Sequence, residues 1–320
     1  MHILSRQVKT LPAFPRQHNR PMHLKAIIPL ATILLSFSLC SVSAQDRPKK
    51  AGGFAYPPAI AGATVEAYKK IGETELNLWI LQPKKSDELR PAIVFFFGGG
   101  WSSGSPEQFE RQARHFAERG MVAITADYRV ASRQKAKPVQ CVADAKSCIR
   151  WVRANAQRLG IDPQRIVAAG GSAGGHLAAA TATLPGLDEA SEDAKVSSQP
   201  NALVLFNPCV VTAPVSGLDF KGFASNSTLE KVGCEPESLS PIHHVKEGLP
   251  PTLIMHGKSD TTVPYVTVEA FTERMKKAGN RCELKGYDGQ QHGFFNGPGF
   301  TDTLAAADEF LVSLKYLPAK

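Results

Sequence analysis

The chain has 320 residues, of which 43% are hydrophobic and 21% are charged, and its formal net charge is +8. This is the composition of an ordinary globular protein, long enough for one large domain or two small ones. Seven of the eight net positive charges come from the first 50 residues, so the rest of the chain is nearly neutral, which argues against nucleic-acid binding.

The N-terminus has the pattern of a secretory signal peptide. With a start at Met22, Lys25 forms a short basic region, and the apolar stretch 26–40 that follows is too short and too interrupted by proline for a membrane span. The small residues that signal peptidase recognises precede a cleavage site after Ala44. We therefore predict an extension and signal peptide over residues 1–44 and a secreted or periplasmic protein without stable membrane insertion after cleavage. An N-terminal membrane anchor is the alternative.

Strands and helices alternate along the rest of the chain. Residues 45–62 are rich in proline, glycine and lysine, and we predict a linker there. The predicted strands are 76–83, 92–97, 122–128, 165–170, 202–208, 251–256 and 282–287, and the predicted helices are 106–119, 139–159, 174–183, 265–278 and 303–316. This alternation predicts one catalytic domain, residues 63–318, with a mostly parallel sheet and helices on both faces. The irregular region 208–246 is predicted to form a small lid or an active-site loop.

One serine stands among glycines between a predicted strand and a predicted helix. Residues 170–174 read Gly-Gly-Ser-Ala-Gly, which fits G-x-S-x-G, and the strand–turn–helix context is what a nucleophilic serine requires. Glycines permit the sharp turn, and the helix N-terminus offers free amides. We predict Ser172 as the nucleophile and the Ala173 amide as an oxyanion donor. The alternatives are a turn without chemistry and a phosphate loop, although the G-K-[ST] pattern of the latter is missing.

The other groups that a nucleophilic serine needs follow three further predicted strands. Gly99 and Gly100, with Gly98 as another possibility, follow the buried apolar run and are predicted to donate backbone amides to an oxyanion. Asp260 is placed to orient a histidine, and a helix cap is its alternative role. His292 stands in a loop after the last strand and is the predicted base. The remaining histidines lie in the removed segment, in helices, in the irregular region or beside the acid.

Five cysteines remain after the predicted cleavage, and an odd number in an exported protein requires at least one free thiol. Cys141 and Cys148 fall on one predicted helix about 10 Å apart, too far for a disulfide. Cys209 and Cys234 are the better candidates for a bridge. No Cys-x-x-Cys motif and no cysteine–histidine cluster indicates a metal site.

Several motifs of this chain are shared with a known family. They are FFFGGGW at 95–101, ADYR at 126–129, DAKSCIRWVRANAQRLGIDPQRI at 144–166, GGSAGGHLA at 170–178, HGKSDTTVP at 256–264 and HGFF at 292–295. With them, residues 63–317 resemble the α/β-hydrolase esterases, in the branch shared by hormone-sensitive-lipase-type carboxylesterases and the BD-FAE-like acetyl-xylan or feruloyl esterases. The resemblance implies an α/β-hydrolase fold with a small or absent cap, the chain order serine, acid, histidine, and no metal or organic cofactor. One departure is Phe97, where the lipase-type branch has a histidine that supports the glycine loop.

The resemblance also implies an activity, a serine carboxylic-ester hydrolase that works through an acyl-enzyme. We expect a small-molecule or polysaccharide ester as substrate, with acetyl or feruloyl groups, and no nucleic-acid partner, while the oligomeric state stays open. The alternatives are a serine peptidase of the prolyl-oligopeptidase type and an inactive binding module on the same fold. Trp101 and Phe294 are candidates either for lining an acyl pocket or for packing. Asp127 and Arg129 are expected to pair beneath the glycine loop, and Asp144 to face solvent or cap a turn.

Overall fold

The computed structural model describes residues 53–85 and 88–319. The predicted start, signal peptide and cleavage site, together with residues 45–52 of the predicted linker, lie outside the described residues. Within the described ranges, no helix is both long enough and apolar enough to cross a membrane.

An eight-stranded sheet forms the centre of the described domain. Its strands are β1 (Thr64–Ile71), β2 (Thr74–Leu81), β3 (Arg90–Phe96), β4 (Val122–Ala126), β5 (Ile161–Gly171), β6 (Ala202–Phe206), β7 (Thr252–Gly257) and β8 (Cys282–Tyr287). They lie in the order β1-β2-β4-β3-β5-β6-β7-β8. All neighbours are parallel except β1 with β2 and β2 with β4. The predicted mostly parallel sheet is therefore confirmed.

Helices pack on both faces of this sheet. They are α1 (Glu110–Glu118), α2 (Ala131–Gln134), α3 (Pro138–Ala154), α4 (Ala173–Thr183), α5 (Leu229–Val232), α6 (Tyr265–Lys277) and α7 (Phe300–Ser313). Adjacent residues of β3 enter two separate cores. Val94 belongs to the core that α3, α4 and α6 cover, whereas Phe95 belongs to the core that α1 and α7 cover. Because both faces are covered, β3 is apolar along nearly its whole length.

The predicted strands and helices are present, with shifted ends. The largest shift is in α3, which ends at Ala154 rather than at residue 159, because a turn closed by the Ile161 amide on the Ala156 carbonyl (2.7 Å) follows it. The predicted first helix begins as the 3-10 turn Pro106–Phe109. Strand β1 was not predicted, since it lies at the sheet edge and only two of its eight residues are buried.

The irregular region 208–246, called the cap segment below, contains α5 and the 3-10 helices Ala224–Asn226, Pro236–Leu239 and Pro241–His244. It belongs to the same compact unit as the sheet and is not a separate domain. The predicted bridge between its two cysteines is wrong, because both are free thiols. Cys209 is buried with its sulfur near the Val211 carbonyl, whereas Cys234 is half-buried against the carbonyl of its neighbour Glu235.

Asp144 anchors a buried ion-pair cluster on α3. Its two carboxylate oxygens each accept a 2.8 Å hydrogen bond from the Arg129 guanidinium, and Lys69 Nζ lies 2.9 Å from Oδ1. The expectation that Asp144 faces solvent is wrong, since its side chain is fully buried. The expected pairing of Asp127 with Arg129 is also wrong, because Asp127 pairs with Arg133.

We expect Asp144→Ala to lower the free energy of unfolding by about 3–5 kcal/mol, because it removes the shared partner of the buried Lys69 ammonium and the largely buried Arg129 guanidinium. The matched control is Glu66→Ala, which removes an exposed pair with Arg158 and should leave the free energy of unfolding nearly unchanged. Urea unfolding followed by circular dichroism measures both. Equal costs for the two variants would contradict this account of the cluster.

Candidate active site

Ser172 occupies a strained turn between β5 and α4. Its backbone angles are φ 55° and ψ −119°, a region that residues other than glycine rarely adopt. The tightness of the turn explains the surrounding glycines. A Cβ at Gly174 would overlap the Phe96 carbonyl, and one at Gly171 would lie 2.6 Å from the Phe295 ring. The turn therefore lifts the serine Oγ above the carboxyl edge of the sheet, where its side chain stays partly exposed.

The structure brings the three predicted triad residues together. His292 Nε2 lies 2.9 Å from Ser172 Oγ, and His292 Nδ1 lies 2.7 Å from Asp260 Oδ2. A neutral imidazole protonated at Nδ1 satisfies both contacts, because it donates to the carboxylate and accepts from the serine hydroxyl. The arrangement can remove the serine proton and hold it on the imidazole.

Asp260 is held as a carboxylate directly after β7. Burial alone would raise its pKa, but hydrogen bonds from His256, His292 and the Val263 amide together lower that pKa well below its usual range. His256 Nε2 lies 3.2 Å from Oδ2, and the amides of Thr262 and Val263 each donate to Oδ1 at 2.9 Å. The acid therefore stays ionised and can stabilise a positive charge on His292.

The glycine loop, residues 98–105, follows β3 beside the serine. A Cβ at Gly98 would lie 3.2 Å from Ser172 Cβ, so the loop approaches Ser172 closely. Gly98 donates its amide to Gln108 Oε1 at 2.6 Å and has no amide left for an oxyanion. The amides of Gly99 and Gly100 have no hydrogen-bond partner among the described residues. With the amide of Ala173, the first residue of α4, they remain the predicted oxyanion donors.

Trp101 is buried and linked to the helix and the cap segment. Its Nε1 donates to His176 Nδ1 at 3.3 Å, and His176 Nε2 donates to the Leu239 carbonyl at 2.7 Å. The indole also packs against Phe223, with ring centroids 4.6 Å apart. Burial lowers the pKa of His176 to about 4, and the hydrogen bond to Leu239 offsets part of that effect. A neutral His176 therefore joins the glycine loop, α4 and the cap segment.

Phe294, the second candidate for an acyl pocket, has a packing position. It is 4% exposed, and its ring lies 5.0 Å from that of Tyr287. A Cβ at Gly299 would overlap this ring. No group of three or more histidine, cysteine or acidic side chains within the described ranges is arranged to hold a metal ion.

Comparison with known proteins identifies the family. The BD-FAE family model matches residues 78–275. The chain belongs to the BD-FAE family. The match includes Ser172 and Asp260, while His292 lies beyond its end. The resemblance predicted from the motifs is confirmed.

Solved structures and curated sequences support the same assignment. The BD-FAE chain is 52% identical to the native esterase Est2 of the Planctomycetes species Thermogutta terrifontis, with a TM-score of 0.80 over 84% of this chain and 98% of that one. The propionate-bound form of Est2 is 52% identical, with a TM-score of 0.79 over 83% of this chain and 100% of that one. These neighbours confirm the α/β-hydrolase fold. Esterase LipC of Mycobacterium tuberculosis is 31% identical in an alignment 222 positions long, which covers 64% of this chain and 53% of LipC. The chain thus spans about half the length of the curated relatives it matches.

One residue of this BD-FAE site was missed from the sequence. Asn207 follows β6, is fully buried, and accepts a 3.2 Å hydrogen bond from the Gly293 amide. Gly293 has φ 78°, so this bond holds the turn that carries His292. The position of Asn207 directly after a strand was the only available signal, and asparagine is common in such turns for other reasons.

We expect His176 to make the stability of this BD-FAE protein decline in acid. An unfolded histidine titrates near 6.5, so the unfolded state takes up a proton first, and stability is lost as the pH falls from about 6.5 to about 4. The loss amounts to about 3 kcal/mol. Burial raises the pKa of Asp127 to about 6, which gives the opposite slope, so the measurement is a difference between variants.

The comparison uses His176→Gln, which keeps one donor and one acceptor but does not titrate. Urea unfolding at several pH values should show the advantage of wild type over this variant shrinking by about 3 kcal/mol between pH 6.5 and 4. If the free energies of unfolding of wild type and His176→Gln change in parallel over that pH range, His176 is not held neutral.

Proposed function

We propose that this BD-FAE protein is a serine carboxylic-ester hydrolase in which Ser172, His292 and Asp260 form a catalytic triad. The observation that carries the proposal is the unbroken hydrogen-bond chain from Ser172 Oγ through the imidazole to Asp260, with steps of 2.9 and 2.7 Å. The nucleophile, the base and the oxyanion donors all come from the chain itself, so the reaction needs no metal or organic cofactor.

Acylation begins when Ser172 Oγ bonds to the ester carbonyl carbon and His292 Nε2 takes its proton. The carbonyl oxygen becomes an oxyanion that accepts hydrogen bonds from the amides of Gly99, Gly100 and Ala173. Each such donor stabilises the transition state by roughly 2.7–4 kcal/mol. The C–O bond to the alcohol then breaks, and the imidazolium returns its proton to the departing alkoxide. An acyl-enzyme on the serine remains.

Deacylation repeats these steps with water as the nucleophile. His292 takes a proton from the water, whose oxygen attacks the acyl carbon, and then returns that proton to Ser172 Oγ as the acid leaves. Asp260 stays ionised throughout because its hydrogen bonds lower its pKa against the effect of burial. Its charge stabilises the imidazolium that forms twice in each cycle.

For the substrate, we propose acetyl or feruloyl esters of a carbohydrate, or small esters with short acyl groups. Two features support an acetyl or other short acyl group and an open alcohol side, whereas the feruloyl alternative rests on the family resemblance alone. A structure of the 52% identical esterase Est2 contains bound propionate. The cap segment is small, and Ser172 is partly exposed, so a bulky alcohol has room to approach.

The test of the activity is a substrate panel with a serine variant. Wild type should hydrolyse nitrophenyl acetate and propionate, and acetylated xylan or methyl ferulate should identify the natural class. Ser172→Ala should lose at least about 10⁴-fold in kcat/KM, because no other group can form the acyl-enzyme. Ser191→Ala removes an exposed serine of the same domain and should match wild type.

A fluorophosphonate probe separates the remaining possibilities. It should label wild type on the peptide that contains Ser172 and leave Ser172→Ala unlabelled. Cleavage of proline-containing peptides without ester hydrolysis would indicate a peptidase of the prolyl-oligopeptidase type. An unlabelled wild type would indicate an inactive binding module.

We also propose that the protein is exported through the signal peptide in residues 1–44. The support is the order of basic, apolar and small residues that ends at Ala44. Expression of the full chain in a Gram-negative host should yield a periplasmic or secreted protein whose N-terminal sequence starts at Gln45. A product with an intact N-terminus in the cytosolic fraction would contradict the export proposal without affecting the esterase proposal.

A further inference from the structure

The segment 53–61, called the strap below, lies against the end of the glycine loop. This segment belongs to the linker predicted from the sequence. Ser105, the last residue of the loop, donates its hydroxyl to the Ala55 carbonyl, and the Ala55 amide donates to the Glu107 carboxylate. The strap is therefore attached to the loop that carries the proposed oxyanion donors.

Tyr56 connects the strap to a buried carboxylate. Its hydroxyl donates to Asp127 Oδ2 at 2.6 Å, and Asp127 is 1% exposed. The other oxygen, Oδ1, accepts from the Tyr128 amide at 2.9 Å and from Arg133 Nη2 at 3.2 Å. Tyr56 thus supplies the hydrogen bond that satisfies the second oxygen of this acid.

Arg133 carries the connection on to the glycine loop. Its Nη1 donates to the Gly104 carbonyl at 2.8 Å, while Nη2 contacts Asp127. The guanidinium lies 3.6 Å from the centre of the Tyr56 ring and 5.8 Å from that of the Phe97 ring. The Arg133 guanidinium is therefore held in position by the Asp127 carboxylate and by the Tyr56 ring that it stacks on.

The side chain beneath the glycine loop is Phe97, so hydrogen bonds to the loop must come from other residues. A phenylalanine side chain cannot donate a hydrogen bond to the loop above it. Here the Phe97 ring stacks on Tyr128 at 4.1 Å, and a Cβ at Gly104 would overlap it. The ring fills space beneath the loop, and Arg133 adds a polar contact at Gly104 to those that Gln108 and Ala55 make with Gly98 and Ser105.

We propose that Tyr56 is a positioning residue for the oxyanion hole, holding the glycine loop in place through Asp127 and Arg133. The proposal rests on the proposed esterase function for its catalytic consequence. Oxyanion donors act only if they are held within about 0.5 Å of the productive geometry. Gly99 and Gly100 both have positive φ, and their residue type imposes little conformational restriction. Contacts with the rest of the protein must therefore provide that precision.

The experiment compares Tyr56→Phe with Tyr316→Phe. Tyr56→Phe loses the hydroxyl but keeps the ring beneath Arg133. Tyr316 is a half-buried tyrosine beside Pro91 near the start of β3, at the opposite end of that strand from the loop. We expect kcat for nitrophenyl acetate to fall about tenfold in Tyr56→Phe with KM within about twofold, and no change in Tyr316→Phe.

A transition-state analogue separates positioning from a merely structural role. A trifluoromethyl ketone forms a bond from Ser172 Oγ to its carbonyl carbon, the serine proton passes to His292, and the oxygen becomes an oxyanion in the hole. The affinity of this ketone should fall in Tyr56→Phe by the same factor as kcat. The affinity of the corresponding unfluorinated alcohol, which forms no oxyanion, should stay unchanged. Equal losses for both compounds, or an unchanged kcat, would overturn the proposal.

Arg133→Lys provides a second variant, because lysine keeps the charge but cannot contact Asp127 and Gly104 with one planar fork. If the two residues act in one chain of contacts, the double variant should lose less activity than the product of the two single losses. Independent, multiplicative losses would contradict the connection from Tyr56 through Arg133.

Hydrogen exchange tests the support of the loop without relying on activity. Peptides covering residues 98–105 should exchange faster in Tyr56→Phe than in wild type or Tyr316→Phe. Unchanged exchange would overturn the proposal even if the enzyme is active. Faster exchange in a protein that hydrolyses no ester would leave the support of the loop intact and reject the esterase function alone.

Discussion

The strained turn at Ser172 is the constraint on which the rest of the site depends, because it sets where the serine Oγ, the proposed nucleophile, lies. Neighbouring backbone holds the turn in place: the Ser172 amide donates to the Phe206 carbonyl at 3.0 Å, and the Ser172 carbonyl accepts from the amides of Cys209 and His176. Gly174 packs directly on the backbone of Phe96. Bonds to the strand on one side and close packing on the other thus offset the cost of an unfavourable backbone conformation.

The order of the strands then decides how the other groups reach that oxygen. Strand β3 lies next to β5, so the glycine loop that follows β3 meets Ser172 directly. Strands β7 and β8 lie two and three positions from β5 on the other side. The loops that carry Asp260 and His292 must therefore return across the end of β6. Asn207 lies at that end and accepts a hydrogen bond from the Gly293 amide, which fixes the loop next to His292.

The groups that follow strands could be predicted because each stands in a local pattern: Ser172 between glycines, His292 and Asp260 in loops after apolar runs. Tyr56 and Asn207 have no such pattern, since their partners Asp127 and Gly293 are 71 and 86 residues away in sequence. Proximity in sequence misled the prediction for Arg129, whose partner is an acid 15 residues away on α3 rather than one two residues away. Pairings of this kind depend on how helices pack against the sheet, which no local pattern records. The same limit hid β1, an edge strand with little buried surface.

The glycine loop lies over the apolar ring of Phe97 and is held by polar contacts that each depend on the next. The Phe97 side chain forms no hydrogen bond, and the Gly104 carbonyl beside its ring accepts one from Arg133. A largely buried guanidinium needs a carboxylate, which Asp127 supplies, and a carboxylate that is 1% exposed needs a donor on each oxygen. Tyr56 satisfies the last of these needs from a segment outside the sheet. With an apolar ring beneath the loop, the Gly104 carbonyl depends on a polar contact from elsewhere, and in this protein that series of contacts extends to the N-terminal strap.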